Sequence, residues 1–183
     1  MERYARKNDF PIIGPIAGRF LYQMAVTVGA RRILELGSGF GYSAYWFSMA
    51  AGPSGRITMT DNDAQNMRRA LEYLGRARLK SHFDFKVGEA VALAKTMLGP
   101  FDIILNDIDK VAYPHTIDLA ARLLRRGGLF ITDNVIWSGR VMDSRKDRTT
   151  TAIVDFTKRL YADKRFCTTI VPIRDGLAVA VRM

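Results

Sequence analysis

Short apolar runs alternate along the chain with longer stretches in which apolar residues recur at helical spacing. Ile33–Leu36, Ile57–Thr60, His82–Val87, Phe101–Asn106 and Leu129–Thr132 read as strands. Between them the pattern predicts helices over Pro15–Val28, Ala44–Ala51, a segment with Asp63 as its N-cap, Val91–Met97 and His115–Leu124. Phe20, Met24 and Val28 form the expected apolar stripe of the first. Met67, Leu71 and Leu74 form that of the helix after Asp63, with Arg68, Arg69, Glu72, Arg76 and Arg78 pointing outward. A polar loop is expected over Ser138–Thr151, then a helix over Ala152–Tyr161. Two strands close the chain, Cys167–Ile173 and Leu177–Arg182, and only Arg174-Asp175-Gly176 separates them, which predicts a hairpin. The alternation predicts an α/β fold. Its seven-stranded sheet would be mostly parallel, with helices on both faces and an antiparallel C-terminal strand. Nothing marks a second domain, so 1–183 reads as one domain with residues 1–14 as a short N-terminal extension.

The first strand runs into Gly37-Ser-Gly39-Phe-Gly41-Tyr42-Ser43 and then into a helix. A strand that ends at a glycine-rich turn and opens a helix brings backbone N–H groups against a ligand. Glu35 adds a negative charge at its mouth, and Asp61 ends the second strand, twenty residues beyond Gly41. Two nucleotide ligands suit this layout. A dinucleotide wants Gly-x-Gly-x-x-Gly, but here the third glycine comes one residue early and Tyr42 holds its place. S-adenosylmethionine needs no pyrophosphate cradle; its cationic groups suit Glu35, its carboxylate the backbone donors and its ribose Asp61. A cofactor role is favoured over a purely structural turn because the three features agree.

With 183 residues, 48% of them hydrophobic, the chain has material for a substantial core. No apolar run approaches the ~20 residues of a membrane span. The N-terminus lacks a signal-peptide pattern, and Cys167 is the only cysteine, so no internal disulfide forms and a cytoplasmic location is expected. The net charge of +10 is spread in pairs such as Arg31-Arg32, Arg68-Arg69 and Arg125-Arg126. A solvated basic surface accounts for it; attraction to RNA phosphates is the sharper alternative.

Acids cluster where ligands of open α/β sheets bind, beyond the carboxyl ends of strands. Asp107 ends the fourth strand; Asp133 and Asn134 end the fifth. Two carboxylates and an amide carbonyl are hard oxygen ligands suited to Mg²⁺, or to Mn²⁺ or Ca²⁺. No His or Cys lies beside them in sequence, which argues against zinc. An isolated strand-end Asp is more often a cap, so the metal reading leans on the nearby glycine turn.

Together these segments resemble the cation-dependent O-methyltransferases, the group of the catechol and caffeoyl-coenzyme A enzymes. The matching stretches are Leu34–Ser43, Val87–Ala90, Phe101–Lys110, Gly128–Gly139 and Arg174–Leu177, and similarity runs from Pro15 onward. The resemblance implies a Rossmann-like class I methyltransferase fold. It implies that Asp107, Asp133 and Asn134 hold a divalent metal and that Lys110 is the base that deprotonates the acceptor hydroxyl. It further implies that Glu35, Gly37, Gly39, Gly41, Tyr42, Ser43, Asp61 and Asp107 surround the methionine and ribose of S-adenosylmethionine. Gly88, Glu89 and Ala90 would lie along its adenine. Gly39 carries the least weight of these, since its turn position varies among relatives, and Asp109 has no assigned role.

The expected acceptor is a small catechol-like hydroxylated aromatic; a hydroxylated pyrimidine in tRNA is the alternative of the same chemistry. The segment before the first helix and the loop after Trp137 are short against the relatives, which suggests an open acceptor site. Trp137 and Tyr113 are candidate walls for an aromatic ring, and Trp46 is assigned to the core. A homodimer is the family habit.

Overall fold

A computed structural model describes residues 1–183. Seven strands form one sheet: β1 (Arg32–Leu36), β2 (Arg56–Asp61), β3 (His82–Val87), β4 (Phe101–Asn106), β5 (Leu124–Thr132), β6 (Phe166–Val171) and β7 (Leu177–Arg182). Their order is β3-β2-β1-β4-β5-β7-β6. The first five pair in parallel, whereas β7 runs antiparallel between β5 and β6. The helices are α1 (Glu2–Lys7), α2 (Gly14–Thr27), α3 (Tyr42–Ala51), α4 (Ala64–Arg76), α5 (Ala90–Thr96), α6 (Thr116–Leu123) and α7 (Arg148–Ala162). Two 3-10 turns, Lys110–His115 and Trp137–Met142, follow the ends of β4 and β5.

Side-chain alternation along the central strands builds a core on each face. Ile33, Ile103, Leu105, Leu129 and Ile131 face α2, α3 and α4, while Leu34, Leu36, Ile104 and Phe130 face α5, α6 and α7. Phe47, Phe130, Phe156 and Tyr113 are fully buried between these layers, each large apolar side chain contributing about 1.5–3 kcal/mol. Burial on both sides explains why these strands read as nearly continuous apolar runs.

Several helix faces differ from the periodic expectation. In α2 the buried residues are Ala17, Gly18, Leu21 and Ala25, and Phe20, Met24 and Val28 flank them half-buried. Small residues win because the Trp46 ring of α3 lies directly on Gly18, where any Cβ would collide with it. In α4, Asn66, Ala70 and Leu74 are buried, and Leu71 is exposed. Here Asp63 does cap the helix, accepting from the Gln65 N–H at 2.7 Å, and Asn66 turns inward to bond Asp61. The expected polar loop is largely structured: Asp147 accepts from the Thr150 N–H and starts α7 four residues earlier than apolar spacing suggested. Residues 1–14 hold a helix rather than a bare extension.

The opposite end of the sheet from the glycine turn is fastened by one carboxylate. Asp102, on β4, accepts from the Arg31 and Arg32 N–H groups, each at 2.7 Å, and from Arg125 Nε at 2.6 Å. Burial pushes its pKa up, but the Arg32 N–H, the Arg125 guanidinium and the Arg31 N–H together hold it below 3.8. A carboxyl lowered in the folded state stabilises above its unfolded pKa, and that contribution is lost as pH falls through the lowered value. Asp102→Asn should therefore cost about 1–2 kcal/mol at neutral pH in a denaturant titration, allowing for partial solvent screening. The gap from the parent should narrow below pH 3.8.

Candidate functional site

The carboxyl ends of β1, β2, β4 and β5 meet at one edge of the sheet. Asp107 continues the ladder past β4, its N–H donating to the Leu36 carbonyl at 2.9 Å, and the Asp133 N–H likewise donates to the Asn106 carbonyl at 3.1 Å. The two acids are thus set on neighbouring strand tips by backbone bonds. Gly37 sits against the Asp107 carbonyl with φ 80°, and a Cβ there would run into that carbonyl. Only glycine accepts both the left-handed backbone and the contact.

The turn is tied to β2 by reciprocal bonds. The Gly37 and Ser38 N–H groups donate to the Thr60 carbonyl, Thr60 N–H to Ser38 Oγ, and Thr60 Oγ1 to the Glu35 carbonyl. Asp61 accepts from the Gly39 N–H at 2.9 Å, the Asp63 N–H at 2.9 Å and Asn66 Nδ2 at 3.0 Å. Asp61 therefore fixes the glycine turn while still lining the groove beside it.

Three adjoining hollows share Gly37 and Asp107 as a common wall. One, of about 420 Å³, is lined by Asp61, Asn62, Gly88, Glu89 and Ala90. A narrow second, about 40 Å³, lies over Ser38, Gly39, Tyr42 and Ser43 beneath Phe10 and Ile12. The third, about 470 Å³, brings Lys110, Asn134, Trp137 and Arg174 to Asp107. Most of the residues singled out from sequence therefore meet along one groove.

Glu35 and Gly41 lie behind that groove. Glu35 is fully buried, and neither carboxylate oxygen has a hydrogen-bond partner. Gly41 caps α3 with φ 82°, where a Cβ would press on Met59, Ala70 and Leu74. Glu89 lines its hollow but spends its carboxylate capping α5, accepting from the Val91 and Ala92 N–H groups. Asp109, unassigned from sequence, accepts from the Val111 N–H and starts the 3-10 turn. Tyr113 is no acceptor wall: it is fully buried against Phe156, its hydroxyl donating to the Asp133 carbonyl at 2.9 Å. Trp137 does line the third hollow, with its indole N–H unpartnered and Arg140 over its ring.

The N-terminal segment, given no role from sequence, closes over the turn. Tyr4 and Phe10 pack edge-on to Phe40, Arg69 stacks over Tyr4, and Tyr42 donates its hydroxyl to Glu2 at 2.7 Å. Burial and the Glu2 carboxylate raise the Tyr42 phenol to about 12.

Asp133 carries the heaviest electrostatic load. It is wholly buried; Oδ1 accepts from the Asn134 N–H at 2.8 Å and Oδ2 from Arg174 Nη1 at 3.0 Å. Burial, then the nearby charge of Asp107, raises its pKa to about 6. Lys110 Nζ donates to Asp107 Oδ1 at 2.9 Å and to the Ile108 carbonyl at 3.2 Å. Asn134, in the left-handed region at φ 58°, donates its Nδ2 to Asp175 Oδ2 at 3.2 Å. Two carboxylates on neighbouring strand ends, with an amide beside them, suit a hard divalent cation. No three His, Cys, Asp or Glu side chains cluster anywhere in the fold; an ion held by Asp107, Asp133 and Asn134 would leave its other positions to solvent or substrate, as Mg²⁺ accepts. Arg174 and Asp175 were read from sequence as a hairpin turn and as part of a matching stretch, with no role at the site; their place here follows from β7 beginning beside the end of β5.

Burial raises the Glu35 carboxyl to about 8, and the pull of the Ser43 and Ser38 hydroxyls falls short of a full hydrogen bond against it. An acid raised in the folded state binds more protons folded than unfolded, so its contribution is lost as pH rises from its unfolded pKa to its folded one. Thermal melts should show stability falling between pH 4.5 and about 8. Glu35→Gln should flatten that fall, leaving only the smaller slope below about pH 6 from Asp133. An unchanged slope in the variant would assign it elsewhere.

The O-methyltransferase family profile matches residues 4–183. Over 135 residues the chain is 36% identical to a catechol O-methyltransferase from Niastella koreensis, an alignment covering 72% of this chain and 61% of that protein. The chain thus spans about three fifths of that relative's length. Among solved structures, the O-methyltransferase from Bacillus cereus in complex with SAH superposes with a TM-score of 0.90 at 27% identity, covering 100% of this chain and 88% of that one. The O-methyltransferase TomG from Streptomyces achromogenes, involved in tomaymycin synthesis and solved with SAM, gives 0.89 at 26%, covering 99% and 86%. Matched by the profile almost end to end and by these structures over nearly its whole length, the chain belongs to the O-methyltransferase family, as a homologue of the catechol and caffeoyl-CoA O-methyltransferases.

Proposed function

We propose that this chain moves a methyl group from S-adenosylmethionine to a hydroxyl of a small catechol-like aromatic, with a divalent cation held by Asp107, Asp133 and Asn134. The observation that carries the reading is the shared wall: Gly37 and Asp107 border both the hollow of Asp61 and Gly88–Ala90 and the hollow of Lys110, Asn134 and Trp137. A donor in the first and an acceptor in the second would meet at Asp107. The SAM- and SAH-bound relatives support the first assignment, and the catechol relative supports the second.

Each residue has a physical task in this reading. Asp61 offers carboxylate oxygens to ribose hydroxyls, and the Gly88–Ala90 backbone flanks the adenine. The Gly37–Ser43 turn holds the methionine portion from which the sulfonium methyl is supplied, under the cover of Phe10 and Ile12. Glu35, behind Ser38 and Ser43, is raised to about 8 by burial; it would ionise as a cationic ligand arrives and then lower the cost of placing that ligand there. Trp137 borders the acceptor ring. A catechol hydroxyl has a pKa near 10, about that of tyrosine, so little of it is ionised at neutral pH. A bound divalent cation would supply Lewis acidity for the phenolate and a template for its two oxygens. Lys110 Nζ is a cation paired with Asp107 and the Ile108 carbonyl as the chain stands, so to take the hydroxyl proton it would first give up its own as the divalent ion displaces it from Asp107. Holding donor and acceptor in line contributes most of the rest, on the order of 7–11 kcal/mol.

Mass-spectrometric detection of methylated dihydroxybenzoate tests the proposal. Product is expected with Mg²⁺ or Mn²⁺ and not with excess chelator. Bulk tRNA in the same assay tests the polyanionic acceptor that a net charge of +10 makes conceivable. Lys110→Ala should lower kcat by about 10²–10⁴-fold while SAH binding is unchanged. Asp61→Ala should weaken SAH by about tenfold. Full turnover in chelator, or by the Lys110 variant, would refute the metal or the base assignment respectively.

A further inference from the structure

Arg174 lies outside every role given above, yet it is built into the acid cluster. Its Nη1 donates to Asp133 Oδ2 at 3.0 Å, and its guanidinium lines the same hollow as Lys110, Asp107 and Asn134. Asp133 is wholly buried, while the Arg174 side chain keeps 39% of its surface exposed. The pair therefore joins a carboxylate that cannot reach water to a cation that can swing out into the groove.

The turn that carries Arg174 is rigidly mounted. Arg174 has φ 54°, a backbone region that suits glycine better than arginine. The Gly176 N–H donates to the Ile173 carbonyl, and the Gly176 and Asp175 carbonyls accept from the Val135 and Ile136 N–H groups. The Asp175 carboxylate takes the Ser138 N–H and Asn134 Nδ2. Freedom is left in the arginine side chain and not in the loop beneath it.

The acids are thus balanced by the chain itself: Lys110 on Asp107 Oδ1 and Arg174 on Asp133 Oδ2, one cation for each carboxylate. A divalent ion entering between them would meet two carboxylates already paired, with one oxygen of its most buried ligand taken. We propose that Arg174 is a resident counter-cation that competes with the divalent ion for Asp133, so that ion binding turns the guanidinium out into the acceptor hollow. This rests on the metal reading of the same acids. It makes Arg174 a positioning residue that sets metal affinity by repulsion and occupancy, without touching the reacting atoms.

Direct Mn²⁺ titration followed by electron paramagnetic resonance tests it on the full chain, with no acceptor present. Arg174→Gly removes the competing charge and suits the left-handed backbone, so it should bind Mn²⁺ about tenfold or more tightly than the parent. Arg174→Lys keeps the charge and should stay near the parent value. Asp133→Ala should lose the site, which shows that the titration reads this cluster. A second readout is the melting temperature: Arg174→Gly should melt below the parent without metal, and its rise on adding Mn²⁺ should exceed the parent's. Equal affinities for parent and Arg174→Gly, both abolished by Asp133→Ala, would overturn the competition while leaving the metal site standing. Absence of Mn²⁺ binding in parent and Arg174→Gly alike would overturn the metal reading and this inference together.

Discussion

Two carboxylates on adjacent strand tips repel each other, and one of them is sealed from water; everything around the groove answers to that constraint. Asp133 is held by burial on one side and Asp107 on the other, and both raise the cost of its charge. The chain offsets this with one backbone N–H, one guanidinium and one ammonium, each directed at a different oxygen. A cluster arranged in this way is costly for stability alone, since apolar side chains of similar size would fill the same space with less desolvation. The arrangement makes sense where charge is to be bound or generated.

Register sets the geometry of that cluster. Asp107 and Asp133 each extend a parallel ladder by one backbone bond, so their separation is fixed by strand spacing before any side chain is chosen. The glycine turn reaches the same place because Gly37 lies on the Asp107 carbonyl and Thr60 and Asp61 bind the turn from β2. One carbonyl contact thereby joins the two large hollows. At the far end of the sheet Asp102 holds β1, β4 and the β5 entry together, which keeps the tips from sliding past one another.

Much of this was legible in the chain. The strands were readable because burial on both faces leaves apolar runs that survive without context, and the glycine turn and strand-end acids follow from where such runs stop. The helix faces were less readable. In α2, bulky Phe20, Met24 and Val28 outweighed Ala17 and Gly18 in any apolar count, yet Trp46 demands the small residues at the contact. In α4 the inward turn of Asn66 serves Asp61, a polar bond that hydrophobic spacing does not register. Glu35 was expected at the mouth of the turn, but whether such a residue lines the groove or lies behind it depends on strand parity: it shares the face of Ile33 and is buried beneath the turn.

Arg174 shows why such a residue escapes a linear reading. It stands in a polar hairpin turn, forty-one residues from Asp133, where arginine ordinarily signals solvent. Only the antiparallel insertion of β7 beside β5, pairing Ala178 with Thr132, brings that turn to the acid cluster. Asp175 then binds the turn to Asn134 and Ser138, so the proposed metal ligand, the Trp137 wall and the hairpin share one rigid mount. Within it the guanidinium is the element with room to move, being exposed where its partner is buried. A site built this way adjusts to a ligand by exchanging one cation for another at a fixed carboxylate, with no rearrangement of the strands that hold it.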